Sequence, residues 1–289
     1  MRPIALATYA ELPNLNDDDR LLIGALAAWG VSAQPAVWDA PDVRWDGFGG
    51  VVVRSCWDYH QRLPEFLSWV AALERLTLPV WNRPDLLRWN SHKGYLRDLA
   101  ALGAVTVPTH WLARGERAAL IDVLDAEGWP VAVVKPAVSA SAHGTWRTSR
   151  AAAAADQQRF EALLARGDAM VQPYLDEVRE PGEWSLVYLG GRFSHAVLQR
   201  PAPGDFRVQF AYGGTAVDRD PPPYLIAAAA AVLGTLPTEP LYARVDGVER
   251  GGRFLLSELE LIEPHLYLAT APGAAARFAR ALVAALGGV

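Results

Sequence analysis

Cysteine is nearly missing: Cys56 stands alone in 289 residues. One thiol cannot build an internal disulfide or a multi-cysteine metal site. A reducing, cytoplasmic setting fits that usage. His60 lies close to Cys56 in sequence, but a buried, inert thiol is the better expectation. Long apolar runs are missing too. The first one stops at Tyr9-Ala10-Glu11, too short for the core of a signal segment. The Ala-rich stretch Tyr224 to Leu236 falls short of the roughly 20 residues a membrane span needs, so it reads as a packed helix. Basic blocks are absent and the net charge is -5, which argues against a nucleic-acid binder. The chain carries no Gly-x-x-x-x-Gly-Lys-Ser/Thr, no Gly-x-Gly-x-x-Gly, no His-Glu-x-x-His and no Gly-x-Ser-x-Gly. These absences remove the common phosphate loop, the dinucleotide fingerprint, the zinc-protease helix and the nucleophile elbow. Small-molecule partners are expected, with no nucleic acid and no membrane.

Apolar residues make up 51% of the chain, enough to build cores and to exclude wholesale disorder. Three units are expected. Residues 1–85 look α/β: strands at Ile4–Thr8, Val51–Arg54 and Pro79–Trp81 alternate with helices at Asp17–Trp29 and Leu63–Leu76. Such alternation predicts a parallel sheet with its ligand beyond the strand C-termini. Arg54, Ser55 and Asp58 lie at such an end. Arg54 there is either a substrate carboxylate anchor or a surface charge. Exposed apolar faces in this unit would suit a homodimer. Residues 86–172 hold helices at Asn90–Leu102, Ala118–Glu127 and Ala151–Ala165, with strands at Val131–Lys135 and Ala169–Gln172. Residues 173–289 are strand-rich. Trp184–Leu189 and Arg192–Leu198 flank Gly190-Gly191 as a hairpin. Leu241–Asp246 and Phe254–Ile262 flank Gly251-Gly252, and Ala274–Leu286 closes the chain as a helix.

The strongest local signal is Ser257-Glu258-Leu259-Glu260-Leu261-Ile262-Glu263-Pro264. Apolar neighbours make it a buried strand, and alternation puts Glu258 and Glu260 on one face, about 7 Å apart. Two desolvated carboxylates repel unless a cation lies between them. Mg²⁺, a hard ion that takes oxygen ligands, suits them. The preceding strand brings Asp246 roughly opposite Glu258, with Arg244 on the same face. The competing reading is a solvated edge strand with scattered charges.

Lysine is scarce, arginine supplying nearly all of the 27 basic residues, so Lys93 and Lys135 stand out. Lys135 ends an apolar strand, and the small-residue loop 137–145 follows. A strand-terminal ammonium beside free backbone N–H groups can hold a polyphosphate.

In this order the parts resemble the ATP-grasp ligases. Lys93 on a helix, Lys135-Pro136 at a strand end and the small-residue loop come first. Gln172, Tyr174 and Leu175 then resemble the hinge that holds adenine. Glu183 matches the acidic ribose contact of glutathione synthetase. Arg244-Val245-Asp246 resembles the Arg-Val-Asp of D-alanine–D-alanine ligase. Glu258-Leu259-Glu260 stands where the family has Glu-x-Asn. Arg54 to Asp58, and the stretch from Leu198 to Gly213-Gly214, are similar to the cyclo-ligases that close ureido-serine to cycloserine. The resemblance spans about residues 86–270. It implies an ATP-grasp fold, α/β and α+β, with an N-terminal substrate domain and central and C-terminal ATP-grasp subdomains.

The activity implied is an ATP- and Mg²⁺-dependent carboxylate–amine ligase working through an acyl phosphate, by peptide-bond formation or cyclisation. Two Mg²⁺ ions would sit on Asp246, Glu258 and Glu260. Lys93, Lys135, Ser139 and Ser141 would hold phosphates. Arg207 and Arg244 would act on the transferring phosphoryl group, and Arg54, Ser55, Asp58, Gly213 and Gly214 on substrate. Departures exist: the loop is glycine-poor, with Ser139 and Ser141 offering hydroxyls instead. Glu260 replaces Asn. Ser185 stands where an Arg is common, so Arg200 or Arg207 would supply that charge. The alternative is an ATP-binding module that has lost catalysis. His195 and His143 are structural candidates first and site residues second.

Overall fold

Ile4 and Leu6 point to one side of a strand and Ala5 and Ala7 to the other, and all four are fully buried. A strand covered on both faces is the mark of a parallel sheet between helices. The computed structural model, which describes residues 2–287, has that arrangement. β1 (Ile4–Thr8), β2 (Ala33–Val37), β3 (Gly50–Ser55) and β4 (Val80–Trp81) form a parallel sheet ordered β2-β1-β3-β4. α1 (Asp17–Ala27) packs against Ile4, Leu6 and Val52, and α2 (Leu63–Arg75) covers the opposite face. α1 starts where Asn16 accepts a hydrogen bond from the Asp19 N–H at 2.8 Å, with three aspartates in the first turn.

α3 (Pro84–Asn90) and α4 (Tyr95–Ala101) follow as two short helices. The single helix expected over Asn90–Leu102 is therefore corrected. Ser91 Oγ donates back to Arg88 O at 2.7 Å, and the Lys93 N–H goes to Ala137 O at 2.7 Å rather than to an intrahelical partner. Lys93 thus sits in the turn between the helices.

β5 (His110–Leu112), α5 (Leu120–Ala126), β6 (Val131–Pro136), β7 (Trp146–Ser149), α6 (Ala153–Arg166) and β8 (Ala169–Pro173) make a second, antiparallel sheet ordered β5-β8-β6-β7. α5 and α6 pack on it through Leu120, Leu124, Phe160 and Leu164. The third sheet is ordered β11-β10-β9-β12-β13. Its strands are β9 (Glu183–Leu189), β10 (Arg192–Arg200), β11 (Thr215–Asp218), β12 (Tyr242–Arg250) and β13 (Arg253–Glu260). Two hairpins close on Gly190-Gly191 and Gly251-Gly252, where all four φ angles are positive, between 55° and 72°. Such turns match the twist of paired strands and favour glycine.

α7 (Pro223–Gly234), α3 and α4 pack on one face of this sheet, against Leu186, Tyr188, Ala243 and Val245. The other face is split. Val187, Leu189 and Tyr242 lie under α8 (Ala274–Leu286), which also touches α1 and so joins the first and third sheets in one core. The rest of that face is polar. No helix among the described residues is long and apolar enough to cross a membrane.

Candidate active site

The polar half of that face is built by register. Ser185, Asp246 and Glu258 are direct partners across β9, β12 and β13, and Val187, Arg244 and Glu260 form the next row. Glu183 and Gln199 pair at the open end. The β12–β13 register slips between Asp246 and Gly247. A Cβ on Gly247 would lie 2.3 Å from Leu255 O, so the slip needs glycine. The row above it faces a cavity of about 390 Å³ between the three sheets.

Charges on this floor are heavily cross-linked. Arg244 Nη2 reaches Asp246 Oδ2 at 2.9 Å and also Glu260, and Nη1 reaches His265 O at 3.0 Å. Ser185 Oγ donates to Asp246 Oδ1 at 2.6 Å. Lys93 Nζ pairs with Glu258 and donates to Ser139 O at 3.1 Å, tying the α3–α4 turn to the small-residue loop. Burial penalises the Lys93 ammonium, but Glu258, Glu260 and Glu263 outweigh it and raise its pKa. Lys135 goes the other way, lowered by burial and by Lys93 against the pull of Glu258. Burial pushes Glu260 well up, helped by Asp246 and Glu258 and opposed by Arg244. Glu183 is pushed up to about 7 by burial and Asp246, even though it accepts from Ser257 Oγ at 2.6 Å.

The chain's two lysines both line the cavity, as do Ser139, Ser141, Gln172, Tyr174, Leu175, Glu183, Arg207, Arg244, Asp246, Glu258 and Glu260. The structure therefore brings together the expected nucleotide and metal residues and two of the three expected catalytic arginines. Arg207 sits on the loop after β10, bound to Asp205 at 2.8 Å and stacked 3.6 Å from the Tyr212 ring centroid.

Six expected site residues do not reach the cavity. Arg54 is fully buried in the seam between sheets, paired with Asp19 at 2.9 Å. Ser55 donates to Asp19 Oδ2 at 2.6 Å. Asp58 accepts from Trp38 Nε1 at 2.9 Å and pairs with Arg62. All three serve the packing of the N-terminal sheet, and Trp57 and Tyr59 take the cavity-facing places beside them. Arg200 points outward and donates to Pro181 O at 2.7 Å. Gly213, with φ 78°, and Gly214 lie behind the Arg207 loop. A Cβ on Gly214 would meet Val208 O at 1.9 Å, so these glycines shape the loop rather than touch its ligand. His195 donates through Nε2 to Leu266 O at 2.8 Å and is a packing residue. Cys56 is fully buried, and burial pushes its thiol well up.

Sequence reasoning missed the wall after β13. From Leu261 to Leu266 six consecutive carbonyl oxygens each accept from a different side chain. The donors are Asn82, Tyr242, Trp57, Arg54, Arg244 and His195, at 2.6–3.1 Å. This strap aims Glu263 and His265 into the cavity. Glu263 lies in the same acidic run that marked Glu258 and Glu260, so its signal was present but unassigned.

A molecule of one parallel and two antiparallel sheets, with its lysines and carboxylates meeting in the cavity between them, is an ATP-grasp ligase. D-Alanine–D-alanine ligase from Bacillus anthracis shares the fold, with TM-score 0.70 and 15% identity over 100% of this chain and 98% of that one. The crystal structure of D-cycloserine synthetase DcsG is more similar, with TM-score 0.88 and 30% identity over 98% of this chain and 99% of that one. The family described as "D-cycloserine synthetase DcsG, N-terminal domain" matches residues 4–82. The cycloserine biosynthesis protein DcsG of Streptomyces lavendulae is 34% identical over 96% of this chain and 97% of its own length. The chain belongs to the DcsG family of ATP-grasp ligases.

Proposed function

We propose that the protein is an ATP- and Mg²⁺-dependent ligase that activates the carboxylate of a small amino-acid-like substrate as an acyl phosphate and closes it intramolecularly. Its 34%-identical relative is a cycloserine biosynthesis protein, and a cyclic product favours ring closure over peptide synthesis. One observation carries the reading: both lysines of the chain face a floor of carboxylates in one cavity between the second and third sheets.

Charge balance supports the metal. Five carboxyl groups (Glu183, Asp246, Glu258, Glu260 and Glu263) face three cations (Lys93, Lys135 and Arg244), while Arg207 is matched by Asp205. Asp246, Glu258 and Glu260 are the hard oxygen donors that suit Mg²⁺. In the structure they lean on Arg244 and Lys93. No group of three or more metal-type side chains among the described residues is gathered as a ready-made site. Nucleotide phosphates, which draw Lys93 and Arg244 toward themselves, would free these carboxylates. Bound Mg²⁺ would neutralise charge on the phosphates as the phosphoryl group moves.

The chain's own residues have separate tasks. Lys93 and Lys135, with the hydroxyls of Ser139 and Ser141, hold phosphate oxygens. The hinge from Gln172 to Leu175 takes the adenine and Glu183 the ribose. Arg244, fixed by two carboxylates and a carbonyl, presents a permanent cation where anionic charge develops, and Arg207 meets it from the loop. The loop 137–145, tied to Lys93, excludes water that would hydrolyse an acyl phosphate.

Thermal unfolding with a non-hydrolysable ATP analogue and Mg²⁺ tests the nucleotide site. Saturation near 100 times Kd adds about 2.7 kcal/mol, roughly 5–10 °C at this size. The shift should require both ligands, and ADP release should require an added carboxylate, with ureido-serine the first to try. No shift at millimolar analogue would remove the reading.

A further inference from the structure

Glu263 is the one cavity carboxyl in the five that the nucleotide chemistry leaves over. It is nine-tenths buried and takes part in no ion pair with any Lys, Arg or His among the described residues. Asp246, Glu258 and Glu260 each have a cation, and Glu183 has the Ser257 hydroxyl. The backbone that carries Glu263 is fixed with unusual completeness. Its own carbonyl accepts from Trp57 Nε1 at 3.1 Å, and the next two accept from Arg54 at 2.6 Å and Arg244 at 3.0 Å. Fixing every carbonyl of a strap fixes where its side chains point. Three side chains from the N-terminal unit, Arg54 on β3 with Trp57 and Asn82 just beyond β3 and β4, hold the cavity face of this strap in register with that unit.

On the side of the N-terminal unit the neighbours of Glu263 are aromatic, while Lys93 and Arg244 act on it from beyond ion-pair distance, each being paired with another carboxylate. Trp57 and Tyr59 line the cavity beside it from the N-terminal sheet. The indole of Trp57 is anchored by its N–H to the strap, so its ring cannot swing away. A carboxylate next to fixed aromatic faces is the chemistry that receives an ammonium, by a charge-assisted hydrogen bond on one side and cation–π attraction on the other. A phosphate or a second carboxylate would be repelled there.

We infer that Glu263, walled by Trp57 and Tyr59, is the binding site for the protonated amino group of the substrate. This deepens the ligase reading and rests on it, since it sorts substrates into α-amino acids rather than hydroxy acids or simple carboxylates. Burial pushes the Glu263 carboxyl up to about 8, with Glu258 adding to the push and the more distant Lys93 and Arg244 opposing it. An arriving ammonium supplies the missing counter-charge. Glu263 is then a positioning residue: by holding the α-ammonium it fixes the carboxylate on the same carbon within the field of Lys93, whose charge it already feels.

The test is a binding comparison made with the ATP analogue and Mg²⁺ present. Serine, alanine and ureido-serine, each as both enantiomers, are titrated against glycerate, lactate and the hydroxy analogue of ureido-serine. The wild-type protein should bind at least one amino compound tenfold or more tighter than its hydroxy partner. Glu263→Gln should bring that ratio to within about twofold, raising KM for the amino substrate while leaving the KM for ATP alone. Glu263→Asp, which keeps the charge, should retain part of the preference. Equal binding of amino and hydroxy compounds by wild type, or binding of neither, overturns the site without needing any variant. A fall in kcat at unchanged KM in Glu263→Gln also overturns it, pointing to proton transfer instead. ADP release is read separately. An amino preference that depends on Glu263 without any ADP formed would keep the site and sink the ligase reading.

Discussion

Two arginines of this chain are buried beside aspartates, and they donate to neighbouring carbonyls of one strap, Pro264 for Arg54 and His265 for Arg244. Their surroundings differ in the number of carboxylates and in access to the cavity. Arg54 has a single carboxylate, Asp19, with the rings of Tyr242 and Phe278 over its guanidinium at 4.8 and 5.8 Å, and it reaches no cavity. Arg244 has two carboxylates and opens onto the cavity. The first arrangement balances one charge with one charge, leaves Nη1 without a partner among the described residues, and fixes two units together. The second is over-supplied with acid, so it has something left to offer a ligand. Residue type and burial do not separate a structural ion pair from a working one; the balance of charge and access to a cavity do.

The largest expected effect breaks the working pair. Asp246→Asn keeps an oxygen for the Ser185 hydroxyl and removes the charge on the cavity floor. ADP release with substrate should fall at least 10³-fold, about 4 kcal/mol in the barrier, while Tm stays within a few degrees. An active Asp246→Asn enzyme would sink the metal assignment. The matching cut on the other side is Arg54→Ala, which strands Asp19 in the seam. Breaking a buried pair from one side costs about 3–5 kcal/mol, so Tm should drop by roughly 10 °C, with KM for substrate nearly unchanged in whatever remains folded. Arg54→Ala with Asp19→Ala should recover part of that loss. A raised KM at unchanged Tm would return Arg54 to the substrate-anchor role first expected of it.

That reversal shows what sequence could carry. The floor was legible because its signals are local: Glu258 and Glu260 two apart on a strand, Asp246 two after Arg244, and a Gly-Gly turn that sets them opposite each other. The rarity of lysine made Lys93 and Lys135 readable before any contact was known. The apolar run Val51–Val53, set among strands that alternate with helices, predicted a parallel strand with its C-terminal end beside a ligand, but not which end residues face that ligand. Arg54 and Ser55 turn to Asp19, 35 or more residues away in sequence, and Trp57 and Tyr59 turn to the cavity. Short strands such as β5, β7 and β11 carry too few residues for a period to show. The strap from Leu261 to Leu266 has no period at all, because its order comes from side chains donated by distant segments.

A middle-sized effect sharpens the working side. Lys135 pays for its burial with a lowered pKa and has no bonded partner of its own among the described residues, unlike Lys93. Lys135→Ala should cost the empty protein little stability and weaken the ATP analogue about tenfold, or 1.4 kcal/mol, measured by titration with Mg²⁺. If Lys135→Ala destabilises the protein and leaves nucleotide affinity alone, the lysine belongs with Arg54 as a structural cation.

The smallest effect probes a third place where charge is withheld. His60, just after the Trp57 segment, has both ring nitrogens buried without a hydrogen-bond partner among the described residues, and its ring centroid lies 5.3 Å from that of His143 in the small-residue loop. Burial, then the neighbouring His143, lowers its pKa to about 4. The folded protein therefore resists a proton that the unfolded chain accepts near 6.5. Stability is full above about pH 6.5 and falls as pH drops toward 4. Allowing for the partial exposure of the ring, the loss by pH 4.5 is about 1–2 kcal/mol. Tm measured at pH 7 and pH 5 should fall less in His60→Gln than in the wild type, because the uncharged amide has no proton to gain. An equal fall in both would mean that His60 is already solvated and that the seam between the N-terminal sheet and the loop tolerates charge. In that case the contrast between Arg54 and Arg244 would rest on carboxylate surplus alone, with access to water contributing nothing.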